Sequence, residues 1–247
     1  MENQNEKFAH VFFVDIISLS DKKLGGMDSQ TSKINVLTRI ITKSRILKTA
    51  KAPTISTAGD GLAVCFFETP KWPFQLAVEL NKKLRSYNKK RERKKKIFVR
   101  IGIASGSIIE AKRVKNERNF WGLGLVYAQR IMSFGDADHI LMDFTSARDL
   151  MGLSDSYKKI IHYLGKGKIK HEEEIDVYSV YGKGFGNKKT PEKLAKSIAT
   201  DANYGRTILE AINAKQDLIL QKLENKVSKQ QKTKLQIGKK RRVIKNE

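Results

Sequence analysis

A mixed α/β fold is predicted by three observations. Strand-like runs rich in Val, Ile and Phe recur at Ala9–Ile17, Leu62–Phe67 and Lys96–Ile108, segments of helical periodicity separate them, and a Gly-Asp-Gly turn joins Leu62–Phe67 to a preceding hairpin arm at Pro53–Thr57. The resulting order is strand, helix, strand, strand, helix, strand, the ferredoxin-like βαββαβ arrangement, in which helices cover one face of the sheet.

Taken in order, Ala9–Ile17 reads as a buried strand because its centre, Val11-Phe12-Phe13-Val14, is wholly apolar, with an acid, Asp15, at the end of that run. From about Gln30 to Lys48, Ile34, Leu37, Ile41 and Leu47 fall at helical spacing. The hairpin arms meet through Ala58-Gly59-Asp60-Gly61, a sequence suited to a tight turn. A second helix is predicted over about Trp72–Tyr87, where Phe74, Ala77, Val78, Leu80 and Leu84 form an apolar stripe. Beyond the core come a helix at Leu125–Phe134, a short strand HILMD, a helix SARDLM, and a closing pair of strands near Ile160–Leu164 and Ile175–Tyr181. From Thr190 onward, Ile208, Ile212, Ile219 and Leu223 recur on an otherwise polar segment, predicting an amphipathic helix. The layout is therefore one domain over 1–185 and a basic extension over 186–247.

Composition narrows the class. With 247 residues, 40% of them hydrophobic, the chain can bury a core. It has no apolar run near the roughly 18 residues of a membrane helix, and MENQNEK is unlike a signal peptide, so no membrane span and a cytoplasmic location are expected. The single Cys65 lies within LAVCFF and reads as a core residue. A net charge of +23 suits a polyphosphate substrate or a nucleic acid. The densest basic runs, NKKRERKKK at 88–96 and KKRRVIK at 239–245, lack interleaved aromatic residues and read as a solvated loop and a tail, so no specific nucleic acid is expected.

The chemistry is carried by two acids placed where strands do not favour them. Asp60 alone is accounted for by an Asp-Gly turn and Asp15 alone by a cap, but two acids brought together repel unless a cation lies between them, which points to metal-assisted phosphate chemistry. A third motif, Asn119-Phe120-Trp121-Gly122 followed by LGLVYAQR, opens a helix. The set of FVDI at 13–16, TAGDG, VRIGIASG at 99–106, the Phe-Trp-Gly turn and an arginine eight residues after Gly122 resembles the class III nucleotide cyclases, in the right order over residues 8–182.

Several assignments follow from that resemblance. Asp15 and Asp60, with the Ile16 carbonyl, match the ligands of two Mg²⁺ or Mn²⁺ ions per site, and hard divalent cations do prefer such oxygens. Backbone amides after Asp15, helped by Ser18 and Ser20, match the cradle of the β- and γ-phosphates. Arg130 matches the transition-state arginine. Lys170 matches the triphosphate-binding lysine, although Lys166 and Lys168 leave that register open by two residues. The family's sites lie across a head-to-tail dimer, so the resemblance implies a homodimer with shared active sites acting on a nucleoside triphosphate.

Departures from the pattern concern the sugar and the base. The ribose-orienting asparagine is replaced by Val126, with Tyr127 beside it. The two base-reading positions are Ser56, where adenylate cyclases carry Lys and guanylate cyclases Glu, and Asn119, usually Asp in adenylate cyclases. Ser and Asn each donate and accept hydrogen bonds, so their chemistry permits uracil or cytosine and does not choose between them. A small, motif-divergent chain of this kind is similar to the pyrimidine cyclases of Pycsar anti-phage systems, which implies cyclic UMP or cyclic CMP made from UTP or CTP, uridylate cyclisation being the first expectation, and a separate effector activated by the product. The competing expectations are an adenylate or guanylate cyclase, an inactive nucleotide-binding relative that has lost catalysis with the asparagine, and a nucleic-acid binder driven by the basic runs.

Overall fold

The computed structural model describes residues 6–17, 19, 26–58, 61–112, 118–169, 173–198, 206 and 215, with backbone alone at 58, 111, 112, 118 and 119. The chain divides into two compact units, 1–198 and 199–247. Of the second, Arg206 and Lys215 are described, both helical, while the predicted amphipathic stripe Ile208, Ile212, Ile219 and Leu223 lies outside the described residues.

In the first unit, β1 (Glu6–Ile16), α1 (Met27–Thr42), α2 (Arg45–Thr49), β2 (Thr54–Ala58), β3 (Gly61–Phe66), α3 (Lys71–Lys89) and β4 (Val99–Lys112) form the βαββαβ core. They are followed by β5 (Arg118–Trp121), α4 (Leu123–Met132), β6 (Ile140–Met142), α5 (Phe144–Leu153), α6 (Asp155–Lys158), β7 (Ile161–Lys168), β8 (Glu174–Val180) and a short helix α7 over 192–198. Among the described residues one sheet has the order β2-β3-β1-β4-β6-β8-β7, with β5 paired to the far end of β4. Every pairing is antiparallel except β4 with β6.

β1 is buried continuously from Ala9 to Ile16 because both of its faces are covered. Phe12, Val14 and Ile16 pack with Leu37, Ile41, Leu76, Leu80, Leu84 and Leu150 of α1, α3 and α5. The alternate residues Ala9, Val11 and Phe13 pack with Ala128, Ile131 and Met132 of α4 and with Leu194 of α7. The two core helices α1 and α3 cover one face as expected, joined there by α5, while α4 and α7, which follow the core, lie on the opposite face. A polar seam crosses the first layer, where His10 Nδ1 meets Ser105 Oγ at 2.7 Å and Ser105 Oγ meets Ser146 Oγ at 2.8 Å. Asp143 closes it by accepting from the amides of Ser146 and Ser105.

Local chemistry explains the remaining departures. The helix expected as one piece over 30–48 breaks before Arg45 because Ser44 caps α2, accepting from the Ile46 amide at 3.1 Å while donating to Glu79 at 2.7 Å. The Phe-Trp-Gly turn begins as strand, since Phe120 and Trp121 pair with Glu110 and Ile109 before Gly122 opens α4. The basic run follows α3 as an exposed loop whose ends are tied by Asn88, which donates to the Ile97 carbonyl at 2.8 Å and accepts from the Ile97 amide at 2.9 Å. Cys65 is buried in β3, and burial pushes its thiol up to about 12.

Two glycines set the position of α4. A Cβ at Gly102 of β4 would lie 2.1 Å from the Ala128 carbonyl oxygen, so the helix rests directly on the strand backbone. Gly122, at φ +144°, lies in a region side chains rarely adopt, and a Cβ there would meet the Ser107 carbonyl oxygen at 2.3 Å.

Candidate active site

The antiparallel register of β1 and β4 puts Asp15 opposite Arg100. The guanidinium donates twice to a single carboxylate oxygen, Nε to Oδ2 at 3.0 Å and Nη2 to Oδ2 at 2.8 Å. Asp15 is 7% exposed, and its other oxygen, Oδ1, is buried with no hydrogen-bond partner. An unpaired buried carboxylate oxygen is costly and asks for a positive partner. That vacancy in bonding, together with the hard-oxygen chemistry of a carboxylate, fits a divalent cation at Oδ1. Ile16, the next residue and the last of β1, pairs with Val99. Across β3 the register ends at Val14 and Leu62, so the hairpin arm beginning at Gly61 stops beside the Asp15 end of β1. Asp60, Ser18 and Ser20 lie outside the described residues, and among the described residues no group of three or more His, Cys, Asp or Glu is arranged to hold a metal ion.

Arg130 occupies the third turn of α4, aimed by the close seating of that helix on Gly102. Its Nη1 donates to Glu173 Oε2 at 3.2 Å, and the Tyr127 hydroxyl donates to Glu173 Oε1 at 2.5 Å. The hydrogen bond to Glu173 and, after it, burial hold the Tyr127 phenol above its ordinary pKa. Beside this trio lies a cavity of about 440 Å³ lined by Val126, Arg130, Ser133, Phe134, Lys168 and Lys193, among others. Three cations therefore converge on one hollow. A hollow of about 540 Å³ along α1, lined by Asp28, Thr31, Asn35 and Arg39, runs over the surface of a single helix and has no such convergence.

The other predicted positions are distributed as follows. Ser56 is half-buried in β2, paired in register with Ala63. The backbone of Asn119 pairs with Ala111 in β5, while its side chain and the whole of Lys170 lie outside the described residues. Lys168, two residues before Lys170, lines the cavity with Arg130, and Lys166 instead pairs with Glu174 at 3.6 Å. Asp15 pairs with Arg100 and Arg130 with Glu173; no hydrogen bond or ion pair joins Asp15 to Arg130 among the described residues. Sequence reasoning did not find Arg100 or Glu173. The first becomes visible only once β1 and β4 are paired, and the second is one of three consecutive glutamates with nothing to distinguish it.

Residues 1–182 match the family model described as "Adenylate and Guanylate cyclase catalytic domain". The chain belongs to this family. Members are nucleotide cyclases; they bind nucleotide substrates, generally use divalent metal ions and often act as dimers. Among solved cyclase structures, the adenylyl cyclase CyaB from P. aeruginosa superposes with a TM-score of 0.56 at 19% identity, over 72% of this chain and 95% of that one. The guanylate cyclase domain of RhGC from Catenaria anguillulae, in complex with GTP, gives 0.57 at 18% identity over 72% and 98%. An adenylate/guanylate cyclase/hydrolase from Silicibacter pomeroyi gives 0.59 at 19% over 72% and 98%. These likenesses establish the class III cyclase fold for the sheet and its helices. Comparison with curated protein sequences gives no match. No helix among the described residues is long and apolar enough to cross a membrane.

Proposed function

We propose that this cyclase converts UTP or CTP to the 3′,5′-cyclic monophosphate and diphosphate, serving as the messenger-producing arm of an anti-phage system whose separate effector reads the product. The observation that carries the catalytic part is the Asp15 carboxylate, fixed on one oxygen by Arg100 and left with a buried, unpartnered oxygen beside the Asp60 hairpin arm. The pyrimidine part rests on Ser56 and Asn119 at the base-reading positions and on Val126 in place of the ribose asparagine. The defence role rests on the resemblance to Pycsar cyclases. We take 1–185 as the catalytic domain and 186–247 as its basic extension.

In the reaction the ribose 3′-oxygen attacks the α-phosphorus, a new P–O bond forms, the bond to the bridging oxygen of diphosphate breaks, and the hydroxyl proton leaves to solvent. Asp15, Asp60 and the Ile16 carbonyl would hold two divalent cations, Mn²⁺ or Mg²⁺, which would supply activation of the 3′-hydroxyl and neutralise charge on the leaving diphosphate. Arg100 holds the Asp15 carboxylate in place through two hydrogen bonds to Oδ2. Arg130 places a fixed positive charge against the α-phosphoryl oxygens as charge shifts in the transition state. Lys170, or Lys168 two residues before it, holds the triphosphate, Ser18 and Ser20 line its β and γ end, and Ser56 and Asn119 hydrogen-bond the base edge. Because no hydrogen bond or ion pair joins Asp15 to Arg130 among the described residues, and in keeping with the resemblance, we assign the two halves to facing subunits of a homodimer.

Incubating the protein with each of the four radiolabelled nucleoside triphosphates and Mn²⁺, then identifying the cyclic product, tests this reading. Cyclic UMP or cyclic CMP, lost in Asp60→Ala, is expected. Consumption of ATP or GTP alone would replace it with the adenylate or guanylate cyclase reading, which the family model accommodates equally. For the shared site, mixing inactive Asp15→Ala and Arg130→Ala chains should restore one intact site in each heterodimer, about one quarter of wild-type turnover if subunits exchange statistically.

A further inference from the structure

We propose that Lys193, which lies beyond the stretch matching the family model, is a phosphate-contacting residue of the cyclase site, its ammonium joining Arg130 and Lys168 around the polyphosphate chain of a nucleoside triphosphate or of the diphosphate product. The proposal rests on the cyclase reading of the Arg130 cavity.

Four observations support it. The helix α7 that carries Lys193 is fastened to the cyclase sheet: Leu194 is fully buried against the Phe134 layer, the Glu192 amide donates to Asp136 Oδ2 at 2.9 Å, and the Lys168 amide donates to Ser197 Oγ at 3.3 Å. A lysine on such a helix has a fixed base and a mobile tip. That tip reaches the wall of the cavity, with Nζ 3.4 Å from both the carbonyl and the hydroxyl oxygen of Ser133 and 5.5 Å from the centroid of the Phe134 ring. Both hydrogen bonds are at the long limit, and no carboxylate pairs with Lys193 among the described residues, so its charge is available to an anion. The cavity already holds Arg130 and Lys168. A concentration of cations around a hollow of about 440 Å³, on flexible stems and next to a fixed guanidinium, matches a chain of phosphates rather than a single carboxylate.

The bland alternative is that Lys193 caps the C-terminus of α4 through the Ser133 carbonyl, a favourable place for a cation whatever the site does. Calorimetric titration of inorganic pyrophosphate into the full chain separates the two, using wild type, K193Q, K193R and, as a control on the same helix, K196Q. Loss of one partly exposed charge-assisted contact should weaken pyrophosphate binding about three- to tenfold in K193Q. K193R and K196Q should stay within about twofold of wild type, and the melting temperature of K193Q within about 2 °C. Unchanged pyrophosphate affinity in K193Q, or weakening matched by a larger fall in melting temperature, assigns Lys193 to capping and overturns the proposal. Turnover assays keep the two readings apart. A chain that cyclises a triphosphate but binds pyrophosphate normally as K193Q refutes the lysine and leaves the cyclase; a chain inactive on all four triphosphates refutes the cyclase, and the pyrophosphate titration still decides Lys193.

Discussion

The Asp15 end of β1 and the Arg130 turn of α4 are both built around an Arg–carboxylate pair, yet they are held in opposite ways. At Asp15 the pair sits between two strands, the carboxylate is nearly buried, and both guanidinium bonds fall on one oxygen. At Arg130 a single bond of 3.2 Å reaches Glu173, whose side chain is 43% exposed and which precedes β8. The first arrangement is a fixed carboxylate whose second oxygen is already desolvated. In the second, a solvent-screened contact can be exchanged for a phosphate at little cost. The contrast divides the labour: geometry is stored at the carboxylate end, and adaptability at the cationic end.

Substitutions can break that contrast, and the largest effect belongs to the reacting groups. Asp15→Ala is expected to abolish cyclisation, and Arg130→Ala to reduce turnover by about 10²- to 10³-fold, as loss of a transition-state charge donor does elsewhere, both read by product formation at saturating Mn²⁺. Next comes Arg100→Ala. Removing a partner from a fully buried ion pair costs about 3–5 kcal/mol, and since Arg100 is itself 31% exposed a loss of about 2 kcal/mol is expected, visible as a lower urea midpoint. A stability change indistinguishable from that of Glu173→Ala would erase the distinction between the two ends. Glu173→Gln should be milder, with stability within about 0.5 kcal/mol of wild type. Turnover should change by about two- to fivefold, and the Tyr127 phenol, released from its anionic partner, should titrate at lower pH in ultraviolet absorbance.

The smallest effect tests the apolar layer far from the cations. Burial holds the His10 imidazole below its ordinary pKa, partly opposed by Asp149, so the unfolded chain binds the proton more readily than the folded one. Stability contributed by neutral His10 is present above the unfolded value of about 6.5 and is lost as pH falls beneath it. Asp143, raised by burial, acts in the opposite sense and gains stability on acidification. His10→Gln should therefore flatten the decline in melting temperature from about pH 7 to about pH 5 by about 2 °C; an unchanged slope would remove His10 as its source.

Parts of this molecule were legible in the sequence because a single local signal sufficed. β1 has an apolar centre at Val11–Val14, the β2–β3 hairpin is marked by its Gly-Asp-Gly turn and the apolar run of β3, and α3 carries a stripe that survives any reasonable choice of ends. The break before α2 was not legible, because Leu47 continues the phase of α1 and only the reach of Ser44 to Glu79, far along the chain, makes the cap pay. Nor was the second helical layer, since α4 is short and its place on the other face depends on Gly102 having no side chain. At the site, Asp15 announced itself as an acid closing a strand, whereas Arg100 required register and Lys168 required knowing how far β7 extends.

The clasp at Asn88 has a consequence beyond the loop it closes. By bonding both the amide and the carbonyl of Ile97, it joins the last turn of α3 to the entrance of β4 without using any of the lysines and arginines strung between them. Those residues form a detachable cassette, fastened at its base and carrying charge that the sheet does not need. Electrostatic character and folding are thereby written in separate parts of the chain, so selection can retune how strongly the protein attracts anions without renegotiating its architecture.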